Sequence, residues 1–107
     1  MRDWLFAFCF TQVVEVPIYL RATDGRWGIA FLASTLTHPI VWFVFPLVVP
    51  EAWGYWPMVA AAEVFAVGAE ALWLRWFGVR RALLWSFLAN ASSAVCGLLM
   101  RAMFGLP

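Results

Sequence analysis

The chain has 107 residues, of which 65% are hydrophobic and 12% charged, and its formal net charge is +1. A soluble domain carries about 25% charged residues, so this composition argues against a soluble protein. All seven basic residues are arginines, and they form no basic stripe that could bind a nucleic acid.

Four apolar runs predict four membrane-spanning helices, because about 20 residues are needed to cross the hydrocarbon layer. They cover residues 4–20, 28–49, 57–77 and 82–104. The first run follows an acidic start and has no small-x-small cleavage motif, so we expect a retained helix. The connections are short, which makes consecutive helices antiparallel neighbours. Residues 1–107 are therefore predicted to form a single all-α domain, an integral membrane four-helix bundle.

The distribution of arginine predicts the orientation of the bundle. Five arginines flank the first and third connections, and two flank the opposite face: Arg21, Arg26, Arg75, Arg80 and Arg81 against Arg2 and Arg101. The positive-inside rule then places the first and third connections in the cytoplasm and both termini outside. The all-arginine, alanine- and tryptophan-rich usage is typical of a GC-rich bacterial genome, so we expect the inner (cell) membrane of a bacterium.

Ionisable side chains interrupt the apolar runs at Glu15, His38, Glu63 and Glu70. A charge at the centre of a bilayer costs roughly 3 kcal/mol, so such residues usually have a function. At 1.5 Å per residue, Glu15, Glu70 and Asn90 lie about 8–14 Å from the cytoplasmic side, and His38 lies near the midplane. We expect these four residues to converge on one site, with Glu63 on the route to the outer face.

Each predicted helix also carries a polar face, because its polar residues recur at spacings of three, four or seven. In a membrane bundle, such faces point to the interior or to a cavity. Hydroxyl groups on these faces are predicted to support the site: Ser34, Thr37, Ser86 and Ser93.

Proline interrupts the second run directly after His38. Pro39 removes a backbone hydrogen bond and clashes with the carbonyl group of Thr35, and Pro46 repeats the disruption. A distorted helix at membrane depth is tolerated where it is buried in protein or lines a cavity. The pattern therefore indicates either an ordinary proline kink or a ligand pocket beside the histidine.

An internal similarity relates the two halves of the chain. Residues 31–38 (FLASTLTH) align without gaps with residues 87–94 (FLANASSA). In each half a glutamate, Glu15 or Glu70, precedes the fourth position of this segment by 19 or 20 residues. The pattern predicts two tandem similar helical hairpins in a parallel repeat about an axis along the membrane normal. The alternative is chance similarity among helices rich in leucine, alanine and phenylalanine.

The acidic cluster allows several kinds of chemistry. Three carboxylates without an intramembrane cation could take up protons, share them with His38 and Asn90, or bind a cation. A divalent metal at His38, Glu15 and Glu70 would suit zinc, manganese or iron, although no metal-binding spacing motif is present. The main expectation is thus a membrane protein that binds or conducts a proton, metal ion or other cation.

The alternative is an accessory or structural subunit of a larger membrane complex, in which the polar groups hold helices together. Its surroundings would be the lipid bilayer and, for so small a chain, a second copy in a homodimer or a host complex. No hydrolase or phosphate-loop signature is present, so an enzyme is less expected. Cys9 and Cys96 belong to no metal-ligand spacing and are interpreted as packing residues rather than as a disulfide or thiolate ligands.

Chain length, four spans and the first-helix Glu15 resemble the small multidrug resistance transporters. In that family, dimers exchange protons for cationic drugs at a first-helix glutamate, so the resemblance implies this role for Glu15. It is confined to that helix, because Glu63, Glu70 and Asn90 depart from the family pattern. Three short segments also resemble small bacterial membrane proteins of unknown function, which implies no activity: Glu15-x-Pro-x-Tyr19, Thr37-His-Pro39 and Leu88-Ala-Asn90.

Overall fold

The computed structural model describes residues 2–105, and the side chains of residues 4–105. This part of the chain is helical and contains no strand. The α-helices are α1 (Arg2–Ala22), α2 (Trp27–Pro39), α3 (Phe45–Val48), α4 (Tyr55–Trp76) and α5 (Ala82–Phe104). A π-helix, Ile40–Val44, joins α2 to α3, and a 3-10 turn, Glu51–Trp53, precedes α4.

Four helical segments are long and apolar enough to cross a membrane, as the sequence predicts. They are Trp4–Ala22, Trp27–Val48, Tyr55–Trp76 and Ala82–Phe104. The third segment begins before Pro57 rather than at it, because the first turn of a helix needs no partner for its backbone N–H groups and tolerates proline. The segments agree otherwise with the predicted spans to within about two residues.

The four segments form a four-cornered bundle that measures 39 × 28 × 22 Å. The helix α1 packs against α2 and α5, and α4 also packs against α2 and α5. The helices α1 and α4 therefore occupy opposite corners. Gly25 and Gly78, with φ of 85° and 81°, provide the turns that follow α1 and α4, and this conformation favours glycine.

Most of the core lies in one half of the bundle. We call residues 16–34 and 70–90 the closed half, and residues 4–15, 35–69 and 91–105 the open half. Small and fully buried side chains fill the closed half between its helices, together with two large ones: Ala30, Ala33, Ser86, Ala89, Tyr19 and Leu74. Small residues let helix backbones approach closely, and these side chains fill the space between the helices of this half.

The second helical segment is distorted where the sequence places its first proline. Pro39 ends α2, and the backbone N–H group of Ile40 donates to the carbonyl group of Thr37. The N–H group of Phe45 then donates to the carbonyl group of Ile40, five residues back. The segment stays helical through this π-helix, and such distortions are frequent at functional sites.

Candidate functional site

Two buried carboxylates meet at the border between the two halves. Glu15 projects from α1 and is 1% exposed, and Glu70 projects from α4 and is 2% exposed. The Glu15 carboxylate accepts hydrogen bonds from Ser34 Oγ at Oε1 and from Ser93 Oγ at Oε2, each at 2.5 Å. Both oxygens of Glu15 thus have a neutral donor.

Glu70 is held by three donors from three other helices. Its Oε1 accepts from the Tyr19 hydroxyl group and from Asn90 Nδ2, the latter at 3.1 Å. Its Oε2 accepts from Thr37 Oγ1 at 2.5 Å. The amide group of Asn90 also donates to the backbone carbonyl of Ser86 at 2.9 Å. We call the residues of these two carboxylate sites the carboxylate cluster: Glu15, Tyr19, Ser34, Thr37, Glu70, Asn90 and Ser93.

The hydrogen bonds follow the internal similarity of the chain. Ser34 and Asn90 occupy the same position of the two aligned segments, and each donates to the glutamate of its own hairpin. Thr37 and Ser93 occupy a second common position, and each donates to the glutamate of the other hairpin. Corresponding residues therefore make corresponding contacts.

A cavity of about 260 Å³ leads away from the carboxylate cluster through the open half. It extends from Glu70 and Asn90 to Tyr55 and Arg101 near the end of the bundle. In the opposite direction the fully buried Tyr19 and the other core residues of the closed half block the way. The carboxylates therefore lie at the inner end of a one-sided cavity.

His38 and Glu63 line this cavity but do not join the cluster through hydrogen bonds among the described residues. The His38 ring packs against aromatic rings, with centroids 5.5 Å from Phe8 and 6.1 Å from both Trp4 and Trp42. Its Nε2 is buried without a hydrogen-bond partner in residues 4–105. Of the four residues predicted to converge, the two glutamates and Asn90 come together, and His38 lies on the cavity wall. Glu63, which was predicted on a route to the outer face, also lines the cavity.

The residues considered for a metal site are not assembled. In the described part of the chain, no three His, Cys, Asp or Glu side chains are grouped as a metal ion would need. The oxygens of Glu15 and Glu70 accept from hydroxyl and amide groups, and His38 is surrounded by aromatic rings. Cys9 and Cys96 are both free and exposed.

The predicted supporting hydroxyl groups have two different roles. Ser34, Thr37 and Ser93 contact the carboxylates directly. Ser86 instead donates to the backbone carbonyl of Val67 at 2.6 Å and so ties α5 to α4 beneath Asn90.

The site also includes Tyr19, Tyr55 and Arg101, which were not predicted as site residues. Tyr19 lies one turn after Glu15 on the same face of α1, a spacing that could have drawn attention to it, but its hydroxyl group bonds Glu70. Arg101 was used only to predict orientation; its Nη1 donates to the Tyr55 hydroxyl group at 2.6 Å, and its guanidinium carbon lies 4.8 Å from the centre of the Tyr55 ring.

Comparison with protein-family models, with curated proteins and with solved structures finds no match for this chain. The function must therefore be inferred from the carboxylate cluster and the cavity that leads to it.

Proposed function

We propose that this chain is an integral membrane protein whose carboxylate cluster binds a cation that enters through the open half of the bundle. The observation that carries the proposal is the position of Glu15 and Glu70 at the inner end of a one-sided cavity. Glu63 lines the same cavity further out and would extend the acidic path toward its mouth. A proton, a metal ion or another cation such as an ammonium group would satisfy this charge.

The electrostatics of the cluster support cation binding. All five donors to Glu15 and Glu70 are neutral hydroxyl or amide groups. Among the side chains of residues 4–105, no arginine nitrogen lies within 4.0 Å of a carboxylate oxygen. Buried charges are costly unless they are paired, so a cation that reaches the cluster offsets a cost that the neutral donors offset only in part.

We also infer that the two hairpins form a parallel repeat. The placement of α1 and α4 at opposite corners supports this inference, since a two-fold axis along the bundle would exchange α1 with α4 and α2 with α5. The matching hydrogen bonds of Ser34 with Asn90, and of Thr37 with Ser93, agree with the same axis. The two carboxylates would then be equivalent groups on either side of it.

The arginine distribution supports one direction for the cavity. The first and third connections belong to the closed half, and under the positive-inside rule they lie in the cytoplasm. The open half and both termini would then face the outside of a bacterial inner membrane. The cation would consequently reach Glu70 from the outside, and its passage to the cytoplasm would require the closed half to open.

A second candidate function also has a specific observation in its favour. The cluster joins all four helical segments, because Glu15, Thr37, Glu70 and Asn90 come one from each. In this alternative, the cluster only holds the bundle together in an accessory subunit or a homodimer. Interhelical polar contacts in membranes average about 0.6 kcal/mol each, so five of them would matter for stability without any ligand.

A flux measurement separates the two functions. The protein is reconstituted into vesicles that contain a pH-sensitive dye, and proton entry is followed after an imposed pH step. We expect Glu15→Gln and Glu70→Gln to reduce proton entry to the level of protein-free vesicles, because glutamine keeps the size of the side chain and one acceptor oxygen but not the charge. Glu51→Gln, in the exposed 3-10 turn, is the matched control and should leave it unchanged.

Metal ions are tested on the same variants. Elemental analysis of protein purified in mild detergent would show a stoichiometric metal that Glu70→Gln loses, if a metal is the bound cation. Folded variants that match the wild type in proton entry, metal content and ammonium binding would contradict the cation proposal and favour the structural alternative.

A further inference from the structure

A pair of oppositely charged side chains lines the cavity outside the carboxylate cluster. Glu63 on α4 and Arg101 on α5 both line the central cavity, and both also line the adjoining space toward α3. Among the side chains of residues 4–105, neither of them belongs to an ion pair. One cavity therefore presents an unpaired anion and an unpaired cation.

The directions of the two helices turn these side chains toward one another. The bond from Cα to Cβ tilts toward the N-terminus of a helix. The N-terminus of α4 lies in the open half, so Glu63 leans toward the mouth of the cavity. The N-terminus of α5 lies in the closed half, so Arg101 leans inward. Glu63 lies eight residues after Tyr55 on α4, which is about 12 Å along the helix. Tyr55 is the hydrogen-bond partner of Arg101.

The guanidinium group of Arg101 is held in place but not neutralised. Tyr55 accepts one hydrogen bond from it and packs its ring against it. A guanidinium group has five N–H donors, and no hydrogen bond of the described residues uses another nitrogen of Arg101. The remaining donors suit the two oxygens of a carboxylate or phosphate group.

We propose that the cavity binds a zwitterion, with its ammonium group toward Glu63 and the carboxylate cluster and its anionic group on Arg101. Phe10 and Trp42 line the wall between these ends and would contact an apolar middle. The inference rests on the proposed function, because the ammonium group is the cation of the carboxylates. A volume of about 260 Å³ suits a molecule the size of an aromatic amino acid.

Calorimetry in detergent with three matched probes tests the zwitterion. The probes are phenylalanine, phenethylamine, which lacks the carboxylate group, and 3-phenylpropionate, which lacks the ammonium group. We expect phenylalanine to bind about tenfold more tightly than phenethylamine, since a bidentate charged contact is worth at least one decade in affinity. The anion 3-phenylpropionate should bind most weakly, because the carboxylates repel it.

Variants show which side chain binds the anionic group of the ligand and which binds its ammonium group. Arg101→Gln should bring the affinity for phenylalanine down to that for phenethylamine and leave phenethylamine unchanged. Glu63→Gln should weaken both amines. Arg80→Gln, in the connection at the opposite end of the bundle, is the control and should change neither. Arg101 is exposed, so its variant is expected to fold.

The same chemistry exists in a free amino acid and in the headgroup of a zwitterionic phospholipid. Lysophosphatidylethanolamine is compared with lysophosphatidylglycerol, which lacks the ammonium group. Binding of phenylalanine but of neither lysolipid would identify a free zwitterion. Binding of lysophosphatidylethanolamine over lysophosphatidylglycerol, lost in Arg101→Gln, would identify a lipid headgroup.

Two further outcomes would overturn the zwitterion. Equal binding of phenylalanine and phenethylamine, both unaffected by Arg101→Gln, would overturn it and leave cation binding by the carboxylates intact. Failure of all these ligands to bind would overturn it as well, while proton entry that depends on Glu15 and Glu70 would still support the proposed function.

Discussion

The closed half and the open half are built from the same helical segments and differ in how tightly these segments pack. Of the described residues that are buried, only Gln12, Glu15, Thr37 and Ala66 lie in the open half. In the closed half the large side chains of Tyr19 and Leu74 fill the space between small ones. In the open half the small Ala62, Ala94 and Gly97 line a cavity that Phe10 and Trp42 do not fill. The side chains on the inward faces therefore decide where the bundle closes.

This difference has a physical basis that is particular to membranes. In water, the hydrophobic effect would favour collapse of the open half, but lipid tails are as apolar as the side chains they would replace. Close packing of small residues is the main attraction that remains, and it is concentrated in the closed half. A cavity in the open half can therefore persist, and it ends at the carboxylates where the close packing begins.

The largest effect is expected from a larger side chain in the closed half. Ala89 is fully buried on α5, so Ala89→Leu should push the helices apart and destabilise the bundle by about 1–3 kcal/mol. Unfolding of the purified protein in mixed detergent micelles measures this loss.

A matched substitution on the same helix shows whether the effect belongs to the closed half. Ala94 lines the cavity, so Ala94→Leu should cost little stability because it extends into open space. An equal loss of stability in both variants would mean that the two halves do not differ in packing.

The spans and four of the five direct donors to the carboxylates could be predicted from the sequence. Apolar length alone defines a helix that crosses the bilayer, and helical spacing places Ser34, Thr37 and Ser93 on inward faces. These features are local, because each depends on residues within a few turns of one helix. The alignment of the two hairpins repeats these positions in both halves of the chain, so Glu15 and Glu70 each have donors at corresponding positions.

The remaining features depend on how the helices face one another. Tyr19 was missed because it bonds a glutamate on a different helix, and the relative height of α1 and α4 is set by core packing. His38 was placed with the carboxylates because its depth is similar. The rotation of α2, with the adjoining π-helix, instead turns its ring toward Trp4 and Phe8, and sequence spacing does not encode this rotation.

A smaller effect is expected from removal of one hydroxyl group at the boundary. Tyr19→Phe deletes the donor to Glu70 and keeps the ring that blocks the cavity. We expect a loss of about 1 kcal/mol in unfolding free energy, within the range measured for interhelical hydrogen bonds in membranes. Tyr55→Phe is the matched control in the open half, where the hydroxyl group meets only the exposed Arg101, and its stability should be close to that of the wild type.

The smallest effect concerns the π-helix that follows Pro39, which contributes Val41 and Trp42 to the cavity wall. Pro39→Ala restores a backbone N–H group that can donate to the carbonyl of Thr35, and removes the ring that clashes with it. We expect hydrogen–deuterium exchange at Ile40–Val44 to slow about threefold, because less of this stretch opens locally.

Pro46 provides the control for this last change, because it lies after the π-helix, in the first turn of α3, and its substitution leaves Pro39 in place at the end of α2. Pro46→Ala should therefore leave exchange at Ile40–Val44 as it is in the wild type. Equal slowing in both variants would assign the distortion to general flexibility of the segment. Slowing in Pro39→Ala alone would show that a single proline next to His38 maintains the π-helix beside the cavity, so that the shape of the open half depends on local backbone chemistry as much as on side-chain size.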